Sequence, residues 1–96
     1  MAALNLLSRR WVLRILWELR NGPLGFREMQ ARCEQMSPNT LSTRLAELKE
    51  AGVVRHDANG DWTLTALGRK LSPVLRALDA WSADWENELK PRDNPG

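Results

Sequence analysis

Residues 36–52 read Met36-Ser37-Pro38-Asn39-Thr40-Leu41-Ser42-Thr43-Arg44-Leu45-Ala46-Glu47-Leu48-Lys49-Glu50-Ala51-Gly52. Serine is a favoured N-cap and proline is pre-organised for the first helical position, so Ser37-Pro38 predicts a helix starting there. Leu41, Leu45 and Leu48 give that helix one buried stripe, and Gly52 supplies a left-handed C-cap. With Leu41 inward, Asn39, Thr43, Ala46 and Glu50 face outward, flanked by Thr40, Ser42, Arg44 and Glu47. The N-terminal half of this surface is rich in groups able to donate to phosphates or base edges. The C-terminal half carries Glu47 and Glu50, which phosphates repel. Such a helix is expected to meet nucleic acid N-terminus first, the positive end of its dipole leading.

Downstream, Val53-Val54-Arg55-His56 and Trp62-Thr63-Leu64 are short β-prone runs around Asp57-Ala58-Asn59-Gly60-Asp61. Asn59-Gly60 between them reads as a hairpin turn, whose tip offers Arg55, His56 and Asn59. Thr65 then caps a long final helix. Its apolar positions Leu67, Leu71, Val74, Leu78, Trp81 and Trp85 step alternately by four and three, a heptad-like seam. Pro73 lies inside it and predicts a kink. Upstream, Phe26 to Cys33 forms a short helix with Phe26 and Met29 inward. Before it, Gly22-Pro23 ends a helix that carries Trp11, Val12, Ile15, Leu16 and Leu19 on one face. Leu6, Leu13 and Trp17 fall roughly opposite, so that first helix needs covering from two sides.

Helix, helix, helix, hairpin, helix is the order of a winged helix-turn-helix. The expected fold is mostly α with a small β-hairpin wing and a long C-terminal dimerisation helix. A single domain spans 1–90, with the helix-turn-helix at about 26–52 and the wing at about 53–64. Dimerisation helices are expected at about 6–21 and 65–89, and a flexible tail at 91–96. Trp17, Trp81 and Trp85 leave too much aromatic surface for so small a base, which places a homodimer interface at Leu13, Trp17, Leu78, Trp81 and Trp85.

The 96 residues carry one cysteine and one histidine, which excludes a disulfide framework and any multi-cysteine or histidine-rich metal site. Cys33 reads as a packed core residue, and His56 as a solvated wing residue. No nucleophile–base–orienter set can be assembled, and no glycine-rich phosphate loop follows a strand. Neither an enzyme, nor a cofactor, nor a metal is expected. No apolar run reaches the roughly 20 residues of a bilayer span, and the N-terminus lacks a basic leader, so a soluble, cytoplasmic protein is expected. Net charge is +2, unevenly placed: residues 1–56 hold nine Lys/Arg against five Glu, and residues 57–96 five against seven acids. Eleven of the fourteen cations are arginine, the side chain better suited to bidentate contact with phosphate and guanine.

The chain resembles the HxlR-type winged helix-turn-helix regulators, a bacterial group related to the MarR-like regulators. The residues that carry the likeness are Arg10-Trp11, Ile15-Leu16, Leu19, Gly22-Pro23, Phe26-Arg27-Glu28-Met29 and Met36 to Leu45. They continue with Leu48, Ala51-Gly52-Val53-Val54, Leu64-Thr65, Leu67-Gly68, Leu71 and Trp81. The resemblance implies a homodimeric transcription regulator joined through its first and last helices, with Ser37, Pro38, Asn39, Thr43 and Arg44 at groove-reading positions. Three departures stand out. The wing is shorter and lacks the family's proline-containing strand, Gly25 replaces a frequent basic residue, and the cysteine often found ahead of the first helix is absent.

The reading is a homodimer on a pseudo-palindromic operator, helix 38–51 lying in the major groove of double-stranded DNA. Ser37, Pro38, Asn39, Thr40, Thr43, Arg44, Arg55 and Asn59 would make the contacts, and a small-molecule effector is possible. The competing reading, a winged helix used for protein contact, draws on the low net charge and on Glu47 and Glu50.

Overall fold

The computed structural model describes residues 1–90; the expected tail at 91–96 lies outside the described residues. Six helices and a hairpin follow one another as α1 Ala2–Leu7, α2 Val12–Leu19, α3 Phe26–Arg32, α4 Pro38–Glu50, β1 Val54–His56, β2 Trp62–Leu64, α5 Ala66–Arg69 and α6 Ser72–Leu89. The core is built where the sequence periodicity points. Val12, Ile15, Leu16 and Leu19 of α2 meet Leu41, Leu45 and Leu48 of α4, with Met29, Cys33, Met36, Val54 and Leu64 filling the space between. These side chains are the chief source of stability for a domain of this size.

Both ends of α4 follow from local chemistry. Ser37 Oγ accepts from the Thr40 amide at 3.1 Å, with Pro38 at the first helical position. At the other end Gly52 takes φ +80°, its amide donating to Lys49 O and the Val53 amide to Leu48 O, both at 3.0 Å. That pair of bonds is a Schellman closure, and it turns the chain straight into β1.

The strands pair antiparallel, Val54 opposite Leu64 and His56 opposite Trp62. Leu24 adds a further rung, its amide donating to Trp62 O at 2.9 Å and its carbonyl accepting from Trp62 N at 2.8 Å. The segment after Gly22-Pro23 therefore does more than end a helix: it fastens α2 to the wing. The wing turn takes up the expected five residues, Asp57 to Asp61, with Asn59-Gly60 inside it. The Asp57 amide donates to Asp61 O at 2.8 Å, and only Gly60 is left-handed. Asp57 Oδ1 accepts from the Asn59 and Asp61 amides at 2.9 and 3.0 Å and so closes the tip.

Two expected helices prove to be broken. The helix expected at 6–21 is α1 and α2, separated by a turn in which Trp11 takes φ +77°, a left-handed value costly for any residue with a Cβ. The break lets Leu4 and Leu7 face α6 while α2 keeps its own stripe in the core. The helix expected at 65–89 is α5 and α6. Pro73 does not kink a continuous helix; it sits in the first turn of α6, where its missing amide costs nothing. Before it, Lys70 and Leu71 close α5 by bonds to Leu67 O and Gly68 O, three residues back.

Leu75 is the one buried residue of α6. The helix thus touches the core near its start and runs outward. The radius of gyration is 15.8 Å, against about 12–13 Å for a compact chain of this length. No helix among the described residues is long and apolar enough to cross a membrane.

Candidate nucleic-acid interface

The surface of α4 is set by which of its side chains the core consumes. With Leu41, Leu45 and Leu48 inward, Ser37, Pro38, Asn39, Ser42, Thr43 and Ala46 are exposed, and Thr40 is half-buried by its bond to the Ser37 hydroxyl at 2.9 Å. Asn39, Thr40, Thr43 and Arg44 line one shallow polar hollow of about 170 Å³. Four of the residues expected to contact DNA thus share one small surface near the N-terminus of α4, where the helix dipole is positive.

Arg44 is not a free side chain. Its Nε donates to the carbonyl of Arg10 at 2.8 Å, and its Nη1 to both carboxylate oxygens of Glu47 at 2.9 and 3.2 Å. Nη2 makes no hydrogen bond among the described residues. Arg9 reaches the same carboxylate at 3.0 Å. The Arg9 guanidinium above all, with the charge of Arg44 behind it, holds Glu47 below the usual carboxylate range. The charged form is the one favoured by folding, so the tie is complete at neutral pH and is lost only as pH falls through that lowered value. Glu47, expected as a carboxylate repelling phosphates, is an internal counter-ion. Glu50 remains exposed.

The wing brings Arg55 and Asn59 to the surface apart from the hollow. Arg55 Nη1 donates to the His56 carbonyl at 3.3 Å, and the His56 ring leans on Trp62 with centroids 3.7 Å apart. Asp57 and Asp61 stand at the same tip, so the wing is less basic than Arg55 and His56 alone imply.

The residues expected at a dimer interface fall into two groups. Leu13 and Trp17 of α2 are half-buried and line a groove with Leu75 and Leu78 of α6. A larger apolar groove of about 590 Å³ adjoins it, walled by Leu4 and Leu7 of α1, Leu13, Val74, Ala77 and Leu78. Trp81 and Trp85 lie beyond both grooves, 59% and 50% exposed, and stack on each other at 5.7 Å.

Cys33 is 2% exposed, and burial pushes its thiol up against the opposing pull of Arg14. A protonated, covered thiol is a poor nucleophile. Labelling by a disulfide reagent at neutral pH is expected to be slower in the folded chain by more than tenfold than in urea; equal rates would show that the site opens freely.

The arrangement agrees with what the chain is similar to. It is 36% identical over 89 residues to the HTH-type transcriptional regulator YvaP of Bacillus subtilis, covering 86% of this chain and 82% of that one. The HTH-type regulator YodB of the same organism is 30% identical over 87 residues, 84% of this chain and 78% of YodB. The crystal structure of quinone-bound YodB superposes with a TM-score of 0.79 at 31% identity, covering 86% of this chain and 92% of that one. The reduced form of YodB gives 0.75 at 28% identity over 96% and 93%. Residues 6–90 match the HxlR-like helix-turn-helix family, and the chain belongs to that family of DNA-binding transcriptional regulators.

Proposed function

We propose that the protein is a homodimeric transcriptional regulator that sets α4 of each copy into successive major grooves of a pseudo-palindromic operator. The observation that carries this reading is the hollow lined by Asn39, Thr40, Thr43 and Arg44 on the outward face of the N-terminal half of α4. Asn39, Thr43 and Nη2 of Arg44 are the groups placed to read base edges, while Ser37, Pro38 and Thr40 lie where the helix start approaches phosphate. Arg55 and Asn59 are assigned to flanking backbone. The protein acts in the cytoplasm, on chromosomal DNA.

The second copy is assigned to the apolar grooves between α1, α2 and α6 and to the stripe of α6 beyond them, through Leu13, Trp17, Leu78, Trp81 and Trp85. A small aromatic effector is a further candidate for those grooves, since YodB, a relative of the same fold, has been crystallised with quinone bound.

Fluorescence anisotropy with duplexes tiled across the DNA upstream of the protein's own gene, at two salt concentrations, tests the reading. Tight, site-restricted binding that weakens steeply with salt is the expected result. Uniformly weak binding with a shallow salt dependence would favour the protein-contact reading instead. On the operator so located, Asn39→Ala and Arg44→Ala are each expected to cost about 1–3 kcal/mol. An unchanged operator affinity would remove the residue from the site.

A further inference from the structure

The contacts around Glu47 organise more than α4. Arg9 Nη1 lies 3.0 Å and Arg44 Nη1 2.9 Å from its carboxylate, and Arg44 Nε bonds the Arg10 carbonyl. Together they seat the turn at 8–11 against Arg44 and Glu47, on the half-buried flank of α4 beside its exposed face. That turn is held in an unfavourable shape, Trp11 being the only non-glycine residue with positive φ among the described residues. Backbone of this kind persists where surrounding contacts over-determine it. One product is the placement of Arg10. Its side chain is exposed, its guanidinium lies 5.3 Å from the Trp11 ring centre, and it has no acidic partner among the described residues. Its own carbonyl touches Arg44, a wall of the polar hollow. Two guanidinium groups, Arg9 and Arg44, share the Glu47 carboxylate, and with Arg10 on the same turn they leave a net charge of +2 across the turn and α4.

We propose that the α1–α2 turn is a second point of DNA-phosphate contact, made by Arg10 and the exposed part of Arg9. In this arrangement Glu47 is the positioning residue that keeps the turn there. The inference rests on the reading that α4 enters the major groove. A helix in that groove has a sugar-phosphate strand along each side, so an element packed beside it meets backbone rather than bases. Guanidinium groups suit that contact, forming paired hydrogen bonds to phosphate oxygens. Glu47 then serves binding although it is acidic, because its charge is spent inside the protein.

The test is a salt series on the full chain with operator and scrambled duplexes. Arg10→Ala should weaken both severalfold and to the same degree, and reduce the slope of log K against log salt by about 1. Arg10→Lys should keep the slope. Glu47→Gln should weaken binding and make a further Arg10→Ala change nearly silent, because the turn is no longer held. A carboxylate that merely repelled DNA would give stronger binding in Glu47→Gln, which overturns the positioning role. An unchanged slope in Arg10→Ala, with the wild type still binding its operator steeply, overturns the turn contact alone. A wild type with no site-restricted binding overturns the groove reading and this one together.

Discussion

Gly68→Ala is expected to destabilise the fold by about 3 kcal/mol or more, the upper end of what overpacking costs. Gly68 sits in α5, four residues long, where its amide donates to the Thr65 cap at 3.0 Å. A Cβ there would lie inside the van der Waals shell of the Val53 carbonyl oxygen, with the Leu64 side chain 3.3 Å away on another side. The obstacle is backbone, so no rotamer change relieves it. Nor can the carbonyl swing aside freely, since it accepts from the Thr65 amide at 3.0 Å while the Thr65 hydroxyl donates to the neighbouring Gly52 carbonyl at 2.6 Å. Retreat of α5 would pull on the closure of α4 and on β2 at once, which is why the effect should be large and global. For a domain of this size about 3 kcal/mol corresponds to a thermal midpoint lower by roughly 12–24 °C. Urea or thermal unfolding followed by circular dichroism reads it, and a loss under about 1 kcal/mol would show that α5 shifts more cheaply than these contacts imply.

What could be read ahead of the structure was what is encoded within a few residues. Ser37-Pro38 and Gly52 bracket α4 because a cap acts on its nearest neighbours, and the leucines at 41, 45 and 48 choose its buried face by spacing alone. The break at Trp11 was not legible, because nothing in a tryptophan announces a left-handed backbone; contacts with Arg44 and Glu47, more than thirty residues away, accompany it. Pro73 announced a disruption, but whether a proline kinks a helix or opens a new one depends on where the preceding turn closes. The rung from Leu24 to Trp62 joins residues far apart in the chain and has no local mark. The candidate site shows the same division. Asn39, Thr40, Thr43 and Arg44 were placed on one surface by helical geometry, whereas the use of Glu47 as counter-ion needed Arg9, which arrives from another element.

In the homodimer proposed above, Trp81→Ala should shift the balance largely to monomer, raising the dimer dissociation constant by about 30-fold or more, as a truncated interface anchor worth about 2 kcal/mol or more requires. Val74, Leu78, Trp81, Trp85 and Leu89 are all between 43% and 64% exposed, and they follow one another by three or four residues along one side of the helix. Core burial cannot explain that stripe, since only Leu75 of α6 is buried, and an isolated stripe of this size on a small domain marks a surface meant to be covered. Trp81 is the residue to remove because it lies mid-stripe, stacked on Trp85, and supports nothing in the core. Sedimentation velocity over a concentration series measures the change, with far-UV dichroism showing that the helices persist. The loss should carry through to DNA. A dimer holds two copies of α4 at a fixed spacing, so its second half-site binds as an intramolecular step; a monomer forfeits that gain while its single α4 still reads one half-site. Operator affinity should therefore fall much further than affinity for an isolated half-site. A Trp81→Ala protein that sediments as the wild type does would place the dimer contact elsewhere on the molecule and leave the α6 stripe for another partner.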